Sequence, residues 1–563
     1  MSVLGKQWKI RNSDLEKDVE TKILENRGLI SPAQVQSFLK ANYKKGLHNP
    51  FLIKNMYPAV ERIKNAIAEK EKIMIFGDYD VDGISGTAIM VHTLKALGAR
   101  VSYRLPHRLE DGYGLSDKFI EEFATIGVRL LITVDCGVSC AGQISFAHSK
   151  GMDVIITDHH TIPEKFPDEA FAVLHPLQPG DDYPFKGLTG AGVAFKLACA
   201  LVTDAFGKEK REELLYSLLD LASLGTVADL GPLIGENRII VKYGLEALRK
   251  TRWPGLNYLK EGSGIVHDTK MDISDIGFKL GPRINAAGRI DTPYYALQLL
   301  LYDEPNEKGK MLAEHLERLN QKRQQMVVQA LEESENYYAE KPQSDKIFIA
   351  WDPGWHVGIL GLIASKIVEK YSRPAIVLQD FGDYLVASAR SPESFNIVAA
   401  LTQHAHLLEN FGGHAQAAGF NIKKEKLEAF VAAMTAYAES NLEPHQLQRD
   451  LQIDCELGEH EINDKLISFL EQMEPFGIGN EQPKFLLRNL QPASVRKVGK
   501  ENQHLHFQVE GRLKRLPVIA FKLGEHEEML KNNKIDLVCY LGKNEWRGNT
   551  QIQLRAIDFK KAE

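Results

Sequence analysis

Short apolar runs separated by mixed, helix-like stretches set the rhythm of the first half of the chain. KIMIF (72–76), LLITV (130–134) and DVIIT (153–157) are β-branched and apolar without alternation, the pattern of strands buried on both faces of a sheet. Helical patterning between them, over 84–99 and 141–150, predicts parallel strands joined by crossover helices. Residues 221–249 read as mostly helical. Apolar residues at helical spacing, good helix formers and no internal Pro then predict one long helix over 304–341, bridging two lobes. Its stripe of Met311, Leu312, Leu316, Leu319, Met326 and Leu331 is expected to be packing. KIFIAW, PAIVLQD and YLVASAR predict strands of a second α/β unit over about 345–438, and FGGHAQAAGF ends it. ASVRKVG, HLHFQVE, LPVIAFK, IDLVCYLGKN and IQLRAIDF predict the short strands of a small C-terminal barrel.

Length makes this division natural, because 563 residues exceed what one hydrophobic core supports. The expected organisation is an N-terminal segment (1–45), a first α/β domain (46–303), the bridging helix (304–341), the second α/β domain (342–445) and the barrel (446–563). A hydrophobic fraction of 44% with 26% charged residues argues against disorder and against a fibrous chain. Five scattered cysteines without a CxxC pair build neither a disulfide framework nor a zinc knuckle. The first residues lack the apolar core of a secretory signal, and no apolar run reaches membrane-spanning length, so a cytoplasmic protein is expected.

Charge changes the picture at one end. The net charge is −6, yet residues 484–563 hold 16 Lys and Arg against 9 Asp and Glu, leaving −13 for the rest. A basic barrel with exposed-type aromatics such as Trp546 fits an OB-fold that tracks single-stranded nucleic acid. A barrel that merely buttresses the rest is the plainer alternative.

Chemistry concentrates where the first strands end. GDYDVDG follows the first, DCG the second and DHH the third, and ligands of open parallel sheets bind outside the carboxyl ends of strands. One Asp at a strand end is commonly a helix N-cap. Asp78, Asp80, Asp82, Asp135 and His159 delivered to one edge repel one another unless cations sit among them. Carboxylate and imidazole without thiolate suit Mn²⁺ or Mg²⁺, and two such ions about 3.5 to 4 Å apart serve in-line displacement at phosphorus.

In this order DYDVDG, VDCG, TDHH, LLDLASLGTVADL (218–230), GPRINAAGR (281–289) and GGHAQAAGF (412–420) resemble the DHH phosphoesterase superfamily. The similarity runs from about residue 40 to the C-terminus, and lies nearest the branch of single-strand-specific exonucleases that degrade DNA from the 5′ end. It implies a parallel-sheet DHH domain and a DHH-associated α/β domain joined by a long helix, plus an OB-fold, and a two-ion mechanism releasing nucleoside 5′-monophosphates. The implied metal ligands are Asp80, Asp82, Asp135, His159 and Asp229, with Asp78 as an additional ligating or orienting acid and His160 as a phosphate contact or proton donor. Asp220 and Asp229 both lie near the place of the fourth-motif acid, and the form GTVADLG favours Asp229. Arg283, Arg289, Ser388, Arg390 and His414 are the implied DNA or phosphate contacts; His356, before a helix, could also place backbone N–H groups toward an anion. Single-stranded DNA, a single-strand-binding protein and a helicase, in recombination and repair, are the implied partners of a monomeric enzyme. Two other readings stand beside it: a phosphoesterase acting on short oligonucleotides or small nucleotides, and a non-catalytic scaffold at replication forks.

Overall fold

The computed structural model describes residues 2–108, 110–112, 114–340, 346–510, 515–546 and 549–562. The expected boundary at 341–342 and the side chain of Trp546 lie outside the described residues. The chain opens with β1 (Gln7–Ile10) and reaches the first sheet at β2 (Lys72–Gly77), β3 (Arg100–Arg104), β4 (Val128–Val134), β5 (Asp153–Thr157) and β6 (Ala172–Leu174). These five strands are all parallel, in the order β3-β2-β4-β5-β6. The apolar runs divide by parity: Ile73, Ile75 and Ile132 join one core with the helices Val81–Ala96 and Gly190–Leu201, while Met74, Phe76 and Leu131 join another with Asp117–Thr125 and Ala141–Ser149. Burial on both faces explains why no alternation is visible in the sequence. β3 and β6 escape pattern reading because VSYR is half polar and AVL spans three residues.

The long helix is Glu307–Glu340. Ala313, Leu316 and Leu319 pack on the first domain, and Val327 and Ala330 on the second. Of the expected stripe, Leu312, Leu316, Leu319, Met326 and Leu331 pack on these cores and Met311 is exposed, while Ala313, Val327 and Ala330 join the buried line. The second sheet comprises β7 (Phe348–Asp352), β8 (Ala375–Asp380), β9 (Tyr384–Arg390), β10 (Asn410–His414) and β11 (Ala417–Lys423), in the order β10-β11-β9-β8-β7 with only β7–β8 parallel.

After β12 (Asp450–Ile453) and β13 (Cys455–Glu456) come β14 (Phe485–Val498), β15 (His504–Glu510), β16 (Arg515–Ala520), β17 (Ile535–Trp546) and β18 (Asn549–Lys561). They run β14-β15-β16-β18-β17, and β17 pairs back with β14 to close a barrel, which leaves no free edge among these five strands. The N-terminal segment belongs with this barrel. β1 pairs in parallel with β12, and Val19, Ile23 and Phe38 enter the barrel core.

Arg238 is a buried tie between the barrel and the first α/β domain, beside the Leu233 N–H to Ile478 carbonyl bond and the Lys270–Glu474 ion pair. Arg238, fully buried, donates from its guanidinium to the carbonyls of Phe38, Gln472 and Met473 at 2.7–3.1 Å. No helix among the described residues is long and apolar enough to cross a membrane.

Candidate metal centre and phosphate subsite

Register brings the acids together. Gly77 pairs with Val134, Val134 with Thr157, and Thr157 with Leu174, so the residues just beyond, Asp78, Asp135 and Asp158, form one row about 4.8 Å apart. Their backbone N–H groups continue the ladder, donating to Val134, Thr157 and Leu174 carbonyls. Asp135 is held at φ +62°, a conformation that costs a non-glycine residue about 1 kcal/mol and turns its carboxylate back over the sheet edge.

Each acid has its own brace. Asp80 caps the helix Val81–Ala96, accepting from Asp82 and Gly83 N–H at 2.9 and 3.1 Å. Asp82 accepts from Thr189 Oγ1 (3.1 Å), Gly190 N–H (2.6 Å) and Ala191 N–H (3.0 Å), all at the start of the helix Gly190–Leu201. That cradle excludes side-chain bulk: a Cβ at Gly190 would lie 2.5 Å from Asp135 Cβ, and one at Gly225 would collide with Asp82. His159 Nε2 lies 3.1 Å from Asp135, 3.5 Å from Asp229 and 3.8 Å from Asp82. Asp158 accepts from the backbone N–H groups of His159 and His160 and pairs with His160 Nδ1 at 2.8 Å.

The cluster has the marks of a cation site. His159 Nε2 and Asp135 Oδ1 are 3.1 Å apart yet outside hydrogen-bond geometry, and both, with Asp78 Oδ1, are buried without a hydrogen-bond partner. Their lone pairs converge on shared space. Donor atoms within 4.8 Å of one another form three groups: Asp135, His159 and His160; Asp82, His159 and Asp229; Asp78, Asp80 and Asp135. Asp135 and His159 each belong to two groups; the two carboxylate oxygens of Asp135 could serve neighbouring ions, whereas the Nε2 of His159, with one lone pair, would serve one. Burial, and then the neighbouring carboxylates, push Asp78 and Asp135 well above the carboxylate range and Asp229 to about 8. Two carboxylates 4 Å apart repel by about 4 kcal/mol even at an effective dielectric of 20. Oxygen and imidazole donors without thiolate fit Mn²⁺ or Mg²⁺; Cys136 is adjacent, but burial raises its thiol and its sulfur lies near the Phe76 carbonyl.

Asp229, at the C-terminus of the helix Lys208–Ala228, enters the cluster, whereas Asp220 does not. Asp220 is fully buried two turns earlier, accepting from Thr251 Oγ1 (2.6 Å) and Trp253 Nε1 (3.2 Å).

Guanidinium groups collect beside the acids. Arg289 donates to the Gly358 carbonyl at 3.2 Å, and Arg390 donates to Ser388 Oγ at 3.2 Å. Both reach the glycine face of the helix Val357–Tyr371, where a Cβ at Gly361 would lie 2.9 Å from an Arg390 η nitrogen. Arg108 lies over the Tyr79 ring at 4.3 Å with its Nε buried and unpaired. Burial, then Arg108 and Arg323, bring Arg289 down to about 9, and burial with Arg108 lowers Arg390. Such a group lacks only an anion.

Arg283, expected as a phosphate contact, is engaged in an ion pair. Arg283 donates from Nε to Glu317 at 2.5 Å and from an η nitrogen to the Lys279 carbonyl at 2.7 Å, so its fork is spent on joining the helices Gly281–Ile290 and Glu307–Glu340. His414 ends the exposed edge strand β10, outside the metal groups, and by register lies in one row with Ala417 and Arg390. His356 caps its own helix, accepting from Gly358 N–H at 3.1 Å, which turns its side chain inward on that helix start. Sequence reasoning passed over Arg108, which stands in an unpatterned loop, and the Thr189–Gly190–Ala191 cradle. Only the latter had a signal, a Thr N-cap before small residues opening an apolar helix.

Comparison with known proteins agrees with this architecture. Residues 72–226 match the model of the DHH family N-terminal domain, 344–440 the DHHA1 domain and 453–558 the RecJ OB domain. The single-stranded-DNA-specific exonuclease RecJ of Bacillus subtilis is 35% identical over 567 residues, spanning 98% of this chain and 70% of that protein. RecJ of Thermus thermophilus in complex with Mn²⁺ superposes with a TM-score of 0.82 at 30% identity, covering 99% of this chain and 80% of the other. Its Mg²⁺ complex gives 0.76 at 29% identity, covering 99% and 79%.

Proposed function

The chain belongs to the RecJ family of single-stranded-DNA-specific exonucleases, and from that premise we propose that it degrades single-stranded DNA from the 5′ end to nucleoside 5′-monophosphates. The observation that carries the reading is the convergence of Asp78, Asp82, Asp135, His159 and Asp229 on shared space beside Arg108, Arg289 and Arg390, the last two lowered in pKa chiefly by burial.

Asp80, Asp82, Asp135, His159 and Asp229 would hold two divalent ions, with Asp78 as a further ligand or orienting acid. When bound, the ions supply a water of lowered pKa and stabilise charge on the phosphoryl oxygens. The Gly190 and Ala191 N–H groups keep the Asp82 carboxylate fixed, so the site is organised before substrate arrives. Asp158 holds Nδ1 of His160 in the protonated form and thereby aims Nε2 outward, where it would contact a phosphate or hand a proton to the departing O3′. Arg108, Arg289 and Arg390, with Ser388, would grip the 5′-terminal phosphate, which sets the first internucleotide linkage over the ions. Planar guanidinium forks suit phosphate oxygens. The barrel would hold the following strand without reading sequence. Action in recombination and repair in the cytoplasm, as a monomer working with a helicase and single-strand-binding protein, completes the reading.

A 5′- versus 3′-labelled single strand, digested with and without EDTA, tests it. Stepwise release of the 5′ label that EDTA abolishes is expected; release of the 3′ label first would overturn the polarity, and no metal-dependent digestion would overturn the activity.

A further inference from the structure

The row of residues just beyond the paired strands has a fourth member. Leu174 of β6 lies opposite Thr157, so His175 follows Asp78, Asp135 and Asp158 at the same level of the sheet edge. Unlike the other three it is not an acid, and it is fully buried. Its Nδ1 accepts from Leu177 N–H at 3.0 Å, which leaves the proton on Nε2, and Nε2 donates to the His160 carbonyl at 2.7 Å. The imidazole is therefore a neutral donor committed to one peptide group. Among the described residues it belongs to none of the three groups of metal donors.

What it holds is the end of the segment that carries the two site histidines. At the other end the Leu174 carbonyl accepts from Asp158 N–H at 3.3 Å, so two adjacent residues grip the first and last peptide groups of 158–160. Inside that grip the Asp158 carboxylate accepts from Val138 N–H at 2.9 Å and pairs with the His160 ring. Beyond His160 the chain leaves regular structure until β6 begins at Ala172. The clamp stands on a braced turn: the carbonyls of Val173, His175 and Pro176 accept from Gln178 Nε2 (2.7 Å), Gln178 N–H (3.1 Å) and Lys186 Nζ (2.7 Å). A shift of the His160 peptide would move the Cα from which the His160 ring projects, beside a His159 ring whose centre is 4.6 Å away.

We propose that His175 is a positioning residue of the reaction, holding the backbone of His160 so that its Nε2 stays aimed at the phosphodiester. The inference rests on the reading of the previous subsection and names a further side chain on which that reading depends. The pair with Asp158 fixes the angle of the His160 ring about its own bonds, while the clamp fixes the point from which the ring projects. Both are needed to bring Nε2 within hydrogen-bond reach of a leaving oxygen. Loss of the clamp slows the chemical step and leaves strand affinity to the arginines, and an ångström of misplacement costs about a hundredfold in rate.

The test measures single-turnover digestion of a 5′-phosphorylated single strand with Mn²⁺, and binding of the same strand in EDTA, by the full chain carrying His175→Leu, His175→Gln or His175→Asn. Each variant is also combined with His160→Ala and checked for its melting temperature. His175→Leu is expected to slow digestion about a hundredfold with strand affinity unchanged. In the His160→Ala background it should cost nothing further, because residues that act as one device do not multiply their effects. His175→Gln, whose amide nitrogen reaches as far as Nε2, should restore most of the rate, and His175→Asn, one bond shorter, should not. A wild-type rate for His175→Leu, the same loss with and without His160→Ala, a fall in strand affinity that matches the fall in rate, or equal rates for His175→Gln and His175→Asn would each overturn the clamp. The last comparison decides alone if His175→Leu does not fold. A wild type that shortens no strand would instead sink the exonuclease reading itself.

Discussion

Single side chains show most clearly how the centre is built. Gly190 and Gly225 matter for the space they leave: a methyl group at either must displace Asp135 or Asp82. Gly190→Ala and Gly225→Ala are accordingly expected to lower kcat at least a hundredfold with only a modest change in strand affinity, measured by single-turnover digestion beside equilibrium binding; full activity in either would show that the carboxylates are not so confined. Asp220 offers a different prediction, about stability. Burial raises its carboxyl from 3.8 to about 7. Between those values the folded chain keeps a proton that the unfolded chain has lost, so the contribution is complete below pH 4 and fades as pH rises through 7, on the order of 4 kcal/mol in all. Asp220→Asn removes this titration. The melting temperature of wild type minus variant should therefore shrink between pH 5 and pH 8, and a constant difference would mean the carboxyl ionises freely when folded. These two aspartates of one helix were both candidates in the sequence, since Asp220 and Asp229 share its apolar surroundings. Nine residues along a helix, about 13 Å, separate a buried hydrogen-bonded acid from one at the cluster, and only packing decides which is which.

At the scale of elements, the bridging helix connects the two halves of the cleft. The Arg283–Glu317 pair fastens it to the helix Gly281–Ile290, which continues to Arg289 at the phosphate subsite. Both partners are largely buried, so removing one leaves a poorly solvated charge. Arg283→Ala should cost about 2 to 3 kcal/mol in denaturant unfolding, and Glu317→Gln a comparable amount, whereas the salt dependence of DNA binding should not change; a flattened salt slope for Arg283→Ala would return this residue to the list of phosphate contacts. The helix itself was plain from its composition. Its buried face was legible too, at Leu312, Leu316, Leu319, Met326 and Leu331; packing alone decided that Met311 stays exposed and that the small Ala313 and Ala330 join the contact. The strands at the sheet edge were missed for a different reason: β3 has one face open to polar residues, and β6 is too short to show a period.

Considered whole, the molecule depends on how its domains are held and on what neutralises its centre. Arg238 donates to the carbonyls of Phe38, Gln472, Met473 and Pro475 in two segments of the barrel unit. Arg238→Met keeps the volume and removes the side-chain donor of the Phe38 and Gln472 carbonyls, at about 1 to 3 kcal/mol each, while Asn480 still donates to Met473 and Pro475. It should therefore reduce digestion of long strands more than hydrolysis of bis-p-nitrophenyl phosphate, a small ester that needs the ions alone; equal loss of both would place its effect in the centre. Divalent ions are expected to stabilise the whole fold, since they bind only where the acids are assembled. At a hundredfold excess over Kd the gain is about 2.7 kcal/mol, readable as a rise in melting temperature with Mn²⁺ that Asp135→Asn should abolish. A rise that persists in that variant would locate the ions elsewhere.

What the sequence by itself determined was local chemistry and order: apolar runs that must be buried strands, acids placed directly after them, a long uninterrupted helix, and a basic set of short strands at the end. Those features depend on neighbours within a few residues, and side-chain periodicity records them. Tertiary structure decided everything that joins distant segments: the register that sets Asp78, Asp135 and Asp158 in one row, the glycine cradle that clamps Asp82, the employment of Arg283 in an ion pair, and the attachment of the N-terminal strand to the barrel. No local pattern encodes these, because each is settled by which of many possible long-range contacts buries the most apolar surface while leaving the fewest polar groups unpaired.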